Sequence, residues 1–297
     1  MIKIANKEWK TPVTVASGTF ASGREYGEFI NLSHLGAVTT KGVSDVPWSG
    51  NPAPRVAETY GGMLNSIGVQ NVGVKMFIEK DLEFLQNTNT NIIVNICGHT
   101  IDDYLKVIEA LDDHGGAHYY ELNVSCPNIK EGGISFGVNA KETEKLTSAC
   151  RKITKTPLIV KLSPNVTDIT EIAKAAEEAG ADALSLINTL KGIAIDINSK
   201  KPFLGGITGG LSGPAIKPIA VRMVYETYKA VKIPIIGMGG IFRPEDAIEF
   251  ILAGASAVAI GTANFSNPRA SIEIINGINE YLEKNNTDMQ GIIGAAT

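Results

Sequence analysis

The chain has 297 residues, a net charge of −4, 44% hydrophobic and 20% charged residues, the make-up of one soluble α/β domain that buries about 75% of its unfolded surface. The acidic balance and lack of a basic run exclude nucleic acid as partner. With no apolar stretch near the ~20 residues of a membrane span and no signal-peptide core in MIKIANKEWK, a cytoplasmic setting is expected.

In chain order, residues 1–12 read as a short hairpin closing one end of the fold. Short Val- and Ile-rich runs then follow as strands: VTVASGT (13–19), AVTTKGV (37–43), IIVNICG (92–98), YYELNVSC (119–126), PLIVKLS (157–163), ALSLINT (183–189), PIIGMGG (234–240) and AVAIGTA (257–263). The later ones are apolar on both faces, as parallel strands covered by helices should be. Between them lie amphipathic helices with their own punctuation. Asp168 is placed to cap a helix, with Glu171 at capping-box spacing, a stripe of Ile169, Ile172, Ala173 and Ala176, and Gly180 at its end. Pro244 opens another, with Ala247, Ile248, Ile251 and Leu252 inward and Gly254 closing it.

Eight β-then-α units without a break in composition predict a (β/α)8 TIM barrel over residues 1–297. A Rossmann-type sheet is disfavoured because no GxGxxG follows the first strand. Two segments exceed the minimal barrel: residues 44–74, with Pro47, Pro52, Pro54 and the turn GGMLNSIG, and residues 190–213, with six glycines. Long excursions in a compact domain are usually functional, and both emerge on the carboxyl-terminal face.

That face is where such barrels do chemistry. The strands end in Ser17, Lys41, Asn95, Asn123 with Cys126, Lys161, Asn188 with Thr189, Gly239 with Gly240, and Gly261 with Thr262. Any one of them could merely satisfy a loop backbone; six strands ending this way together point to a site. A single cysteine is structural more often than catalytic, but Cys126 stands among Asn123, Ser125 and Asn128, whose donors and acceptors would need partners if buried, and a polar ligand could supply them. The glycines Gly132, Gly133 and Gly137 behind it suggest a loop, 129–138, able to open and close. Glycine pairs on the last two strands, with Gly213 before Pro214, suit a phosphate group. Cys97, Cys126 and Cys150 form no CxxC, and His34, His99, His114 and His118 lack ligand spacing. No metal site or iron–sulfur cluster is expected in this chain, and the histidines read as core or surface residues.

The motifs NVSCPN with KEGGISFG, KLSPN (161–165), INTL (187–190), TGGLSGPAIKP (208–218), IPIIGMGGI (233–241) and GASAVAIGTANF (254–265) resemble dihydroorotate dehydrogenases. Cysteine within NVSCPN resembles class 1, whereas class 2 has serine there. GGISFG and TGGLSGPAIKP resemble the catalytic subunit of class 1B, the NAD-linked type. The resemblance spans Ala16 to about Phe265. It implies oxidation of dihydroorotate to orotate in pyrimidine biosynthesis, on one FMN per chain. It further implies a partner subunit carrying FAD and [2Fe–2S], in a heterotetramer that delivers electrons to NAD.

Residue by residue, the resemblance implies that Ser17, Lys41, Gly42, Asn95, Asn123, Lys161, Ile187, Gly213, Gly239, Gly240, Gly261 and Thr262 contact FMN. Lys41, Asn65, Ser66, Ile67, Gly68, Val69, Asn123, Asn128, Asn188 and Thr189 would hold the substrate, and Cys126 would be the base. The residue types suit these roles: a carboxylate and cyclic amide want a cation and amide side chains. Three alternatives remain at this stage. One is a class 1A, fumarate-linked homodimer; another is the flavin module of a dihydropyrimidine dehydrogenase. The third is a flavin-free barrel acting on a sugar phosphate as an isomerase or synthase.

Overall fold

The structure, a computed structural model, describes residues 2–125, 127–128 and 134–297, with residues 127, 128 and 134 described by their backbone alone. Cys126 and residues 129–133 lie outside the described residues. Of the expected loop 129–138, only the part from residue 134 onward is therefore described.

The predicted hairpin forms: Ile2–Ile4 pairs antiparallel with Lys7–Trp9. Its indole Nε1–H on Trp9 donates to the Tyr119 hydroxyl at 2.8 Å, and that hydroxyl donates to the Ile4 carbonyl at 3.0 Å. Burial pushes the Tyr119 phenol up to about 12, so it remains a donor at neutral pH. Tyr119 opens a barrel strand, which fixes the hairpin across the amino-terminal end.

Among the described residues eight parallel strands form one sheet. They are β1 (Val13–Val15), β2 (Ala37–Thr39), β3 (Asn91–Ile96), β4 (Tyr119–Asn123), β5 (Leu158–Lys161), β6 (Ala183–Leu186), β7 (Ile235–Met238) and β8 (Ala257–Ile260). Hydrogen bonding runs β1–β8–β7–β6–β5–β4–β3–β2. The remaining seam between β1 and β2 is held by Gly36 N–H to the Val13 carbonyl at 2.8 Å and by the Thr14 hydroxyl to the Ala37 carbonyl at 2.8 Å. The chain is thus a (β/α)8 barrel. Apolar side chains on both faces of these strands are buried, inside by the barrel packing and outside by the helices.

Several strands are shorter than their apolar runs. β1 stops at Val15, where a turn follows with Gly18 at φ +86°. β8 stops at Ile260, and Ala263–Ser266 turns into a short helix. Ser17, Lys41, Asn188 and Thr262 lie beyond their strands and turn over the mouth, whereas Asn95, Asn123 and Lys161 stay in the ladder. Asp168 caps Ile169–Glu178 by accepting from Thr170 N–H at 2.8 Å, one residue short of the box. A complete capping box forms at Thr100 with Asp103, ahead of Ile101–His114.

The two excursions meet. Leu190–Gly192, Gly209–Ser212, Gly62–Asn65 and Val56–Thr59 form one antiparallel four-stranded sheet, in that order. Ala57, Leu64 and Leu204 make a small core beneath it. A side chain at Gly62 would lie 2.0 Å from the Ser212 carbonyl oxygen, so only glycine allows these two strands to approach.

Candidate active site

The carboxyl-terminal mouth of the barrel opens into a cavity of about 830 Å³, within the size range of cofactor and small-ligand sites. Its wall includes Ser17, Lys41, Gly42, Asn95, Asn123, Lys161, Ile187, Asn188, Thr189, Gly239, Gly240, Gly261 and Thr262 from the strand ends. The first excursion adds Asn65, Ser66, Ile67, Gly68 and Val69. Gly213 is not in the wall: its carbonyl lies behind Gly240, and Ser212 and Ile216 form the surface there. Cys126 lies outside the described residues. Asn128 is described only through its backbone, which pairs with Ile134; Ser125, next to Cys126, does line the cavity.

The floor is polar and charged. Lys161 closes β5 and is only 4% exposed, with its ammonium donating to the Ser17 hydroxyl at 2.9 Å. Lys41 follows β2. Burial pulls its pKa below the ordinary lysine value, Cys97 opposes that shift, and the nearby Lys161 charge adds to it. One buried and one partly buried cation facing one space suit an anionic or electron-rich ligand.

One side of the cavity is an amide cluster. Asn188 Nδ2 donates to the Ser125 hydroxyl at 2.9 Å and to Asn123 Oδ1 at 3.3 Å, and Asn188 Oδ1 accepts from Thr189 N–H at 2.7 Å. Tyr104 donates to the Asn123 carbonyl at 2.8 Å and fixes the end of β4. Opposite stands the excursion turn. Asn65 Nδ2 donates to the Gly210 carbonyl at 3.3 Å, and Asn51 Nδ2 to the Ser66 hydroxyl at 2.9 Å. Gly68 and Val69 have φ of +71° and +50°. Asn71 ties down that left-handed turn, its Nδ2 donating to the Val69 carbonyl at 2.9 Å.

At the far side, the Thr262 hydroxyl donates to the Ser212 hydroxyl at 2.8 Å. Gly240 has φ +82°, and a Cβ there would lie 2.9 Å from the Gly213 carbonyl oxygen and 2.8 Å from Lys217 Cβ. Glycine is therefore required, and backbone N–H groups can face an anion with no side chain between.

Asn51, Ser163, Asn165, Lys191 and Ser212 also line the cavity and were not foreseen. Asn165 links three of the walls: its Nδ2 donates to the Ser163 hydroxyl at 3.2 Å and the Thr189 carbonyl at 3.1 Å, and its Oδ1 accepts from Lys191 N–H at 2.9 Å. SPN, one residue beyond Lys161, was the available signal. Two of the histidines pack into the fold: His99 stacks on Trp48 at 4.2 Å, and His118 Nδ1 accepts from Ile92 N–H at 3.1 Å. No metal-binding cluster of His, Cys, Asp or Glu occurs among the described residues. Nor, among them, is any helix long and apolar enough to cross a membrane.

Fold and site together define a (β/α)8 barrel whose mouth offers two lysines, several amides and backbone donors to an anionic ligand with hydrogen-bonding groups. Comparison with known proteins makes this particular. The profile of the dihydroorotate dehydrogenase family matches residues 1–282, and the chain belongs to that family. It is 60% identical over 294 residues to the "Dihydroorotate dehydrogenase B (NAD(+)), catalytic subunit" of Alkaliphilus oremlandii, covering 99% of this chain and 97% of that protein. The equally named proteins of Alkaliphilus metalliredigens (61% over 283 residues, 95% and 93% covered) and Lachnoclostridium phytofermentans (59% over 294 residues, 99% and 98% covered) are similarly close.

Proposed function

We infer that this chain oxidises dihydroorotate to orotate in pyrimidine biosynthesis. It acts as a single barrel domain over residues 1–297, with FMN bound in the mouth and Cys126 as base. A partner subunit carrying FAD and [2Fe–2S] then passes the electrons to NAD, in a cytoplasmic heterotetramer of two catalytic and two electron-transfer subunits. The observation that carries the reading is the floor of the cavity, where Lys41 and Lys161 share a buried space with the amides of Asn95 and Asn123. A sugar-phosphate site would not need so many amides.

The residues fit FMN. The glycine turns at 239–240 and 261 offer backbone donors for its phosphate, and the buried oxygen Asn95 Oδ1 has no partner among the described residues. When bound, FMN supplies the acceptor for the hydride from C6 of the substrate. Lys161 would stabilise the negative charge that accumulates beside it, being pre-oriented by Ser17. Asn123, Asn188 and the 65–69 turn would orient the cyclic amide, with Lys41 matching the carboxylate. Cys126 would take the C5 proton from the face away from the hydride acceptor, because that acceptor takes only the hydride. The Ser125 hydroxyl, bonded to Asn188, supports the segment leading into it.

The test is anaerobic mixing of the purified complex with dihydroorotate. Expected are release of FMN on denaturation, bleaching of the flavin absorbance by dihydroorotate, and NAD reduction only in the presence of the partner. A colourless chain that takes up no FMN overturns the reading. Fumarate turnover by the isolated chain overturns its NAD-linked part.

A further inference from the structure

Glu121 is a buried acid for which the proposed reaction has no task. It lies on β4, is 2% exposed, and stands two residues before Asn123, so on the same face and one layer beneath the cavity floor. Its Oε1 accepts from Asn95 Nδ2 at 2.6 Å, and its Oε2 accepts from the Ser185 hydroxyl at 2.7 Å. Asn95 is on the neighbouring strand β3, paired in register with Glu121. Ser185 is on β6, which is not hydrogen-bonded to β4. The carboxylate therefore reaches past β5 on the inside of the barrel and holds two donors at once.

A carboxylate only accepts, whereas a primary amide donates through nitrogen and accepts through oxygen. With a carboxylate against it, Asn95 must turn its nitrogen toward Glu121 and its oxygen away. That oxygen, Asn95 Oδ1, is buried and has no partner among the described residues, although Asn95 lines the cavity. It faces the side of Gly42, where a Cβ would come within 3.1 Å of it. A buried acceptor without a donor is costly, and it marks where a ligand N–H belongs. The oxidised isoalloxazine ring carries one N–H, at N3.

We propose that Glu121 is a positioning residue: it locks the Asn95 amide so that its oxygen accepts the ring N–H of bound FMN. This rests on the FMN reading above and adds the source of the selectivity for that edge of the ring. Without the carboxylate, the amide can turn over and present nitrogen, which the ring N–H cannot use.

The experiment measures binding to the flavin-stripped full chain by fluorescence quenching, with FMN and with 3-methyl-FMN, which lacks the ring N–H. The wild type should prefer FMN by roughly tenfold, the value of one good hydrogen bond. Glu121→Gln should lose that preference. The double variant Glu121→Gln with Asn95→Asp should regain it, because the new glutamine donates to the new aspartate, whose second oxygen then faces the ring. A purely structural role for Glu121 lowers affinity for both flavins alike, and that result overturns the proposal while leaving the FMN reading intact. If the single variant does not fold, the double variant decides: preference for FMN supports the proposal, and its absence overturns it. A double variant that does not fold also overturns it, since hydrogen-bond direction is then not what the pair supplies. A wild type that binds no FMN overturns both readings.

Discussion

Replacing Lys161 with Met removes one charge from the cavity floor and keeps most of the side-chain stem. Lys161 is 4% exposed and held by Ser17 at 2.9 Å, so its charge is fixed before the reaction begins. A unit charge ~4 Å away at an effective dielectric of ~20 is worth about 4 kcal/mol. Losing one pre-oriented donor of this kind costs roughly 10²–10³ in rate. Lys41 remains and moves the answer toward the lower figure, because loss of the neighbouring cation also relieves the effect that helps depress its pKa. The expected outcome for Lys161→Met is flavin reduction slowed by about 10², read by anaerobic stopped-flow bleaching with dihydroorotate. FMN content and the thermal midpoint, measured on the same samples, separate this from loss of cofactor or fold. A slowing of less than about fivefold, with FMN fully bound, would refute the role given to the cation.

Cys126→Ala should retain FMN and bleach far more slowly, and in the wild type bleaching should quicken as pH rises through thiol ionisation; a flat profile with chemistry rate-limiting removes the thiol from the mechanism. Cys150 is the contrast: burial pushes its thiol up to about 12, so at pH ~8 only about 10⁻⁴ is thiolate. Iodoacetamide should leave it unlabelled in the folded protein, as peptide mass spectrometry would reveal. Because burial lowers the Lys41 pKa in the free protein, an anion placed against it should raise that pKa again. Orotate binding to Cys126→Ala should then take up protons, and weaken, as pH rises through the depressed value and before the ordinary lysine range is reached. Calorimetry in two buffers of different ionisation enthalpy checks this; no proton uptake would show that Lys41 does not meet the carboxylate. Trp9→Phe removes the donor to Tyr119 and should cost about 1–3 kcal/mol, seen in denaturant midpoints with no change in FMN affinity.

The barrel was legible because its strands are buried on both faces, which writes runs such as LIVK and AVAI directly into the chain. Helix starts were legible too, since Asp168 accepts from an amide of its own first turn and Pro244 brings a preset φ to a first helical position. The excursion sheet was not. Gly210 pairs with Asn65, 145 positions away, and such a register leaves no local periodicity to read. Strand ends were overestimated where residues such as Ser17 turn over the mouth instead of joining the ladder. Most of the cavity wall could be named because it stands at those ends. Asn51, Asn165 and Lys191 could not, because loop closure alone brings them there. Glu121 was visible as a letter in ELNVSC, yet its partner Ser185 stands two strands away, in an arrangement only the folded barrel supplies.

The shared sheet of the two excursions also bears on how such a chain can be re-engineered. Gly62–Asn65 and Gly209–Ser212 are stitched together through backbone contacts as tight as that of Gly62 with Ser212, so neither segment has an independent shape to donate. Grafting either one alone from a relative would carry across half a seam. The two behave as one heritable cassette, and sequence drift on one side of the mouth has to be answered on the other.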